Sequence, residues 1–298
     1  MAQPTPTPTL APTWTMSPLP SATITATASS TFSPTDTVTA SPSPTASPTD
    51  ILTPTLEPQW SIQGPGEVLV PILLYHQVGY SPSGSLYYVT AGEFERQMFL
   101  LHEWGYHTIS VEQLAIAILV GAELPLKPIV LTFDDGNENI YSMALPIMQK
   151  YNFTGTAYIV YNYVGATNFM NKKQIRELHE AGWEIGSHSI SHVDLTKRPD
   201  RQEDEIIESR RKLQILLDVP ISTFAYPYGA YDDLSLDYIY FAGYTAAVGL
   251  GADMRQGPNN LYYLYRRDIN GAYDLKTFAQ FLPWQGDLEN LPAVTIVP

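Results

Sequence analysis

The stretch "KPIVLTFDDGNEN", Lys127 to Asn139, sets an apolar run directly against two adjacent aspartates. Pro128 to Phe133 reads as a short buried strand: five of its six residues are non-polar, and it stops at Asp134, Asp135 and Gly136. Two touching carboxylates repel each other, which is tolerated when a cation sits beside them or when one of them holds a proton. A solvated Asp-Gly turn is the plainer reading of a bare "DDG". What surrounds the stretch decides between the two.

From about Glu67 onward, strand-like and helix-like segments alternate. The strand candidates are "VLVPILLY", "PIVLTF", "GTAYIVY", "WEIGS", "STFAYP", "YTAAVGL" and "LYYLYRRDI", each short, rich in β-branched or aromatic residues and bounded by Gly, Pro or Asp. Between them, "EFERQMFLLHEWG" places Phe94, Met98, Leu101 and Trp104 on one helical face, and "RQEDEIIESRRKLQILLD" does the same with Ile206, Arg210, Leu213 and Leu217. Such alternation implies an α/β fold with a parallel sheet, and about seven repeats suggest closure into a barrel. Chemistry in that architecture sits at the C-terminal ends of the strands, where Asp134 and Asp135 lie.

A second stretch, "EIGSHSISHVDL", puts His188 and His192 at the end of the strand "WEIGS". If the segment turns helically, the four-residue spacing brings both imidazoles to one face. With a carboxylate they make an open three-ligand set for a divalent ion, leaving a position for water. The same set serves iron oxygenases, which usually mount it on an antiparallel barrel, so hydrolysis is the expected chemistry. The chain has no cysteine, so any metal must be held by His and carboxylate.

Composition narrows the partners. Sixteen Lys plus Arg against 30 Asp plus Glu give a formal charge of -14, which disfavours nucleic acid or an anionic membrane surface. No apolar run approaches the length of a membrane span. The first basic side chain is Arg96, so no signal peptide is expected within this chain. Residues 1–65 read as a disordered Pro/Thr/Ser-rich linker holding about half of the 25 prolines, a composition that cannot bury enough apolar surface to offset its ordering entropy. Such a tether suits an extracellular or cell-surface protein. Residues 66–298 form the expected catalytic domain.

The motifs "TFDDG" (Thr132 to Gly136) and "HSISH" (His188 to His192), with "FAYPYG" (Phe224 to Gly229), "ALPIMQKYNFTGTAYIV" and "FERQMFLLHEWGYHTIS", resemble the polysaccharide deacetylases of carbohydrate esterase family 4 with their NodB homology domain. The likeness runs from about Val68 to about Phe281, with the NodB core at about 127–298. It implies a distorted (β/α)7-type barrel. It also implies Asp134 as catalytic base and Asp135, His188 and His192 as ligands of a divalent metal, zinc first, with cobalt, nickel or iron as alternatives; no other cofactor is expected. Two departures stand out. Ala225 occupies the place where many members carry an Arg that pairs with the catalytic Asp, and Arg267 in "YRRDI" is the expected substitute. No histidine follows His192, yet "LLYHQV" contains Leu74-Tyr75-His76, resembling the circularly permuted subgroup that acts on β-1,6-linked N-acetylglucosamine. His76 would then be the general acid.

The resemblance further implies an oxyanion contact from the Tyr228 backbone N–H. Tyr226, Tyr228 and Trp183 are candidates to face sugar rings. The expected substrate is an N-acetylated polysaccharide, whether exopolysaccharide, peptidoglycan or chitin-like, from which N-acetyl groups are hydrolysed. The alternatives are an O-acetyl esterase or small-molecule amidohydrolase on the same fold, and a carbohydrate-binding module that has lost catalysis.

Overall fold

The computed structural model describes residues 59–292. Seven parallel strands carry the fold: β1 (Ile72–Tyr75), β2 (Pro128–Phe133), β3 (Thr156–Ile159), β4 (Glu184–Ser187), β5 (Thr223–Ala225), β6 (Ala246–Val248) and β7 (Arg267–Asp268). Their order around the sheet is β6-β5-β4-β3-β2-β1-β7, and a short eighth strand, His107–Thr108, pairs at the foot of β2. A seam completes the ring. Leu264 bridges Val248 in parallel, and the Gly251 N–H donates to the Arg266 carbonyl at 3.0 Å, so the segment leading into β7 has β6 on one side and β1 on the other. This is the distorted (β/α)7-type barrel expected, and its first strand in sequence lies between β2 and β7.

The period-2 alternation of strand side chains divides the core in two. Ile72, Val130, Tyr158, Ala225, Val248 and Leu264 belong to one buried cluster, the barrel interior. Their chain neighbours Leu73, Leu131, Ala157, Phe224 and Ala247 belong to another, under the helices. Helix α1 (Ala91–Glu103) starts at Thr90, whose hydroxyl accepts from the Glu93 N–H at 3.2 Å, and buries Phe94, Met98 and Leu101 as its spacing predicted. Helix α2 (Val111–Val120), begun by a Ser110–Gln113 capping box, joins the interior cluster through Leu114, Ala117 and Ile118 and covers the N-terminal end of the barrel. Helices α3 (Leu145–Lys150), α4 (Lys172–Glu180), α5 (Ser209–Leu217) and α6 (Asp233–Ala242) complete the outer layer. A π-helical turn, Asp204–Glu208, leads into α5, and Arg210 leaves the apolar face to donate to the Ile221 carbonyl at 2.7 Å.

Local chemistry trims two of the predicted strands. "VLVPILLY" divides into Val68–Leu69 and β1 because Pro71 has no N–H to give a ladder. Only the last residues of "LYYLYRRDI" form regular strand. Trp60–Gln63, on the linker side of the boundary at 65, is a strand whose backbone pairs with Ala122–Pro125, so the folded unit reaches back to it. The rest of the Ser/Thr/Pro-rich linker lies outside the described residues. No helix among the described residues is long and apolar enough to cross a membrane.

Candidate active site and metal centre

At the C-terminal end of β2 the Asp134 N–H still donates to the Tyr75 carbonyl, 3.0 Å away, which keeps Asp134 in strand phase. By that parity its side chain enters the barrel with Val130 and Thr132, and the residue is only 3 % exposed. There Arg266 meets it in a two-pronged ion pair, Nη1 to Oδ1 at 2.7 Å and Nη2 to Oδ2 at 2.8 Å. Arg266 is itself fixed by Nε to the Gly249 carbonyl (3.0 Å) and lies over the Tyr158 ring, its guanidinium carbon 5.5 Å from the centroid. Gly186 makes room for that ring, since a Cβ there would fall 2.3 Å from it. Burial alone would raise the Asp134 pKa, but the Arg266 guanidinium, with His188 and His76, holds the carboxyl down at about 2.

Arg267, expected in this role, does not take it. Adjacent strand residues point to opposite faces, and Arg267 faces outward, with its guanidinium carbon 4.8 Å from the Phe281 ring centroid. Arg266 supplies the charge that Ala225 cannot.

Asp135 takes a left-handed backbone, φ 75°, which turns its carboxylate away from Asp134 and toward the histidines. Its Oδ1 lies 3.3 Å from His192 Nε2 and 3.7 Å from His188 Nε2. His188 Nδ1 is 2.7 Å from the Ala225 carbonyl, an acceptor, so the ring proton sits there and Nε2 presents a lone pair to the cluster. Burial and the neighbouring His188 push the His192 imidazole down, favouring the neutral form that coordination requires. One ligand atom from each of Asp135, His188 and His192 falls within 4.8 Å of the others. The buried Asp135 Oδ1 has no hydrogen-bond partner among the described residues. An orphaned carboxylate oxygen facing the Nε2 atoms of two imidazoles fits a divalent cation.

The loop between the histidines is tied from below. Glu205, fully buried, accepts from the Ile190 N–H (2.9 Å), the Ser191 N–H (2.8 Å) and the Ser191 hydroxyl (2.6 Å), and pairs with Arg201. Ser189 Oγ accepts from the His192 N–H at 2.9 Å. These bonds hold Ser189 and His192 in left-handed conformations, φ 70° and 57°, which serine rarely adopts.

His76, one residue beyond β1, reaches the same cavity from the opposite wall. Its Nδ1 lies 3.8 Å from Asp268 Oδ1, at the end of β7, and neither buried atom has a hydrogen-bond partner among the described residues. Burial raises the Asp268 carboxyl while the His76 charge opposes it. Tyr87 stands against the His76 ring at 4.7 Å, and Tyr228, in a left-handed conformation (φ 60°), stands against His192 at the same distance. The cavity between them measures about 340 Å³ and includes Asp134, Asp135, Leu250 and Arg266 in its walls. Tyr226 backs this wall, whereas Trp183 packs on Phe133 in the outer core and faces no sugar.

Residues 121–247 match the family model for polysaccharide deacetylase. This stretch is similar to a polysaccharide deacetylase domain. The chain is 29% identical over 195 residues to the poly-β-1,6-N-acetyl-D-glucosamine N-deacetylase of Staphylococcus aureus, covering 60% of this chain and 67% of that protein. Among solved structures, the Streptococcus pyogenes deacetylase PplD in complex with acetate superposes with a TM-score of 0.66 at 29% identity, covering 72% of this chain and 98% of that one. A polysaccharide deacetylase from Bacillus cereus does so at 0.64 and 27%, covering 72% and 69%. The family match contains Asp134, Asp135, His188 and His192. His76, Arg266 and Asp268 lie outside it and are brought to the cavity by β1 and the closing segment.

Arg266, Asp268 and Glu205 are the site residues that the sequence reading passes over. The signal for Arg266 lay one residue from Arg267, and strand phase alone separates the two. The "RRD" run also held Asp268 at a strand end, the position where this barrel keeps its chemistry.

Proposed function

We propose that this deacetylase hydrolyses N-acetyl groups of an N-acetylglucosamine-containing glycan and depends on a divalent metal, zinc in first place, held by Asp135, His188 and His192. The observation that carries the reading is the orphaned Asp135 carboxylate facing two imidazoles, beside an ion-paired Asp134 and opposite His76, all on one open cavity. When bound there, such an ion supplies Lewis-acid chemistry that activates water and polarises the acetyl carbonyl. Asp134 takes the proton from the attacking water. Its low proton affinity, set by Arg266, lets it release that proton readily. We assign the oxyanion contact to the backbone N–H of Tyr228, which lines the same cavity. As water oxygen bonds to the acetyl carbon and the C–N bond breaks, His76 gives its proton to the departing nitrogen. Asp268 then stabilises the charged ring that donates it. The products are acetate and a free amine. The Ser/Thr/Pro composition of the linker supports a place outside the cell or at its surface.

The test is acetate release from β-1,6-linked N-acetylglucosamine, chitin oligomers, peptidoglycan and acetylxylan, with and without a chelator. Release from an N-acetylglucosamine polymer, abolished by chelation and restored by zinc, is expected. Release from acetylxylan alone would move the protein to the O-acetyl esterases, and no release from any glycan would overturn the enzymatic reading.

A further inference from the structure

Tyr228, whose backbone N–H is assigned the oxyanion contact, stands in a conformation costly for its type. It has φ 60° and ψ 7°, and Gly229 after it has φ 65°, so left-handed residues follow one another directly beyond β5. Glycine adopts this geometry freely, but tyrosine does so only where its surroundings hold it. Part of the hold is local: the Gly229 N–H donates to the Tyr226 carbonyl at 2.9 Å and the Ala230 N–H to the Pro227 carbonyl at 3.1 Å. A further hold comes from a distant part of the chain.

Tyr263 lies in the closing segment, three residues before Arg266. Its hydroxyl donates to the Gly229 carbonyl at 2.7 Å and accepts from the Leu250 N–H at 3.3 Å. It thereby joins the loop after β5 to the loop after β6 at the rim of the catalytic cavity, which Gly229 and Leu250 both line. The ring is fixed in its turn. Tyr231 packs against it with centroids 4.1 Å apart, Tyr226 stands 5.7 Å away, and a Cβ at Gly249 would collide with it. Gly249 is also the residue whose carbonyl receives Arg266 Nε, at 3.0 Å. The same stretch therefore seats the partner of Asp134 and reaches across to the oxyanion loop.

From Tyr263 to Tyr228 the hydrogen bonds run in series. The carbonyl that Tyr263 grips belongs to the Gly229–Ala230 peptide unit, whose N–H is the donor to Pro227, and the Pro227 carbonyl belongs to the peptide unit that carries the Tyr228 N–H. Peptide units are planar, so fixing the carbonyl of one fixes its N–H, and hydrogen bonds linked through them polarise one another. We infer that Tyr263 is a positioning residue for the oxyanion contact: its hydroxyl holds the Tyr228 N–H in the direction that the developing oxyanion needs. The inference rests on the deacetylase reading and the Tyr228 assignment above. Tyr263 itself is not among the residues that line the catalytic cavity.

Tyr263→Phe removes the hydroxyl and keeps the ring. It is expected to lower kcat by about 5- to 20-fold, less than the ~10²-fold cost of losing an oxyanion donor outright, with KM changed by less than about twofold. The fall should be the same on an N-acetylglucosamine oligomer and on an activated acetyl ester, because both pass through an oxyanion. Affinity for the methylphosphonamidate of glucosamine, a tetrahedral mimic, should fall by the same factor while affinity for the oligomer is kept. A merely structural role lowers the melting temperature and leaves kcat per folded molecule intact. That result, a loss confined to KM, or equal weakening of mimic and oligomer overturns the inference. Should Tyr263→Phe not fold, Tyr231→Ala, which takes away the support of the ring, undergoes the same test with an expected kcat loss of about 2- to 5-fold. A wild type inert toward both glycans and the ester overturns the deacetylase reading and the inference with it. An active wild type beside an unchanged variant overturns the inference alone.

Discussion

Both ends of this barrel enclose carboxylates, and they treat them in opposite ways. At the N-terminal end Glu184, the first residue of β4, accepts from the Glu112 N–H in the first turn of α2 (3.0 Å), from the Thr156 hydroxyl (3.2 Å) and from the Thr223 hydroxyl. At the other end Asp135 Oδ1, His76 Nδ1 and Asp268 Oδ1 are buried with no hydrogen-bond partner among the described residues. Backbone strain follows the same division. Among the described residues seven non-glycine positions have positive φ, and four of them, Asp135, Ser189, His192 and Tyr228, belong to the active end; Ser189 and Tyr228 are of types that rarely adopt it. A saturated polar cluster holds a fold together, and an unsaturated, strained one is held open for something else.

The sharpest way to break that contrast is His188→Ala. It removes a ligand that nothing else in a chain without cysteine replaces, so bound metal by elemental analysis and activity should fall together to near background. Full metal content in that variant would end the assignment. His76→Ala should act more selectively, slowing release from an N-acetylglucosamine oligomer by roughly 10²-fold while sparing an activated acetyl ester, whose leaving group needs no proton. Equal defects on the two substrates would return His76 to a packing role. Glu205→Gln touches neither metal nor substrate, but weakens the hold on the loop between the histidines. A loss of roughly 10- to 100-fold in metal affinity is expected, with activity recovered at saturating zinc. The smallest catalytic effect belongs to the saturated end. Glu184→Ala strands two hydroxyls and an N–H and should lower stability by about 1–3 kcal/mol with unchanged activity per folded molecule. Burial raises the Glu184 pKa above its ordinary value of 4.5, so its protonated form favours the fold. That contribution is present below the ordinary value and lost as pH rises through the raised one, and Glu184→Gln should flatten this limb of a stability-against-pH curve.

The sequence exposed the parts of the site in which residue type and strand end coincide. Asp134, Asp135, His188 and His76 each stand at or just past the end of a strand, with His192 four residues after His188; all but His188 line the cavity, and His188 meets Asp135 and His192 beside it. Arg266 was obscured because "LYYLYRRDI" is aromatic or aliphatic on both faces, so no alternation sets its phase, and the phase is fixed instead by the seam with β6. Glu205 sits in "RQEDEIIESRRK", where one acidic residue among many reads as a solvated helix face. Its burial comes from the loop it ties down, a tertiary contact without local periodicity. Pro71 and the pairing of Trp60–Gln63 moved strand boundaries for similar reasons: ladder partners, not propensity, set where a strand ends.

The placement of β1 also governs when the enzyme becomes competent. It is the first barrel strand to be synthesised, yet its two neighbours are β2 and β7, and His76 meets Asp268 across roughly 190 residues of intervening chain, the kind of distant pairing that folds slowly. A growing chain can assemble Asp135, His188 and His192 well before Arg266 and Asp268 exist. Until the closing segment arrives, Asp134 has no counter-charge and the interior is open along β1 and β6. Ring closure and the placing of Arg266 beside Asp134 and of Asp268 beside His76 are therefore one event.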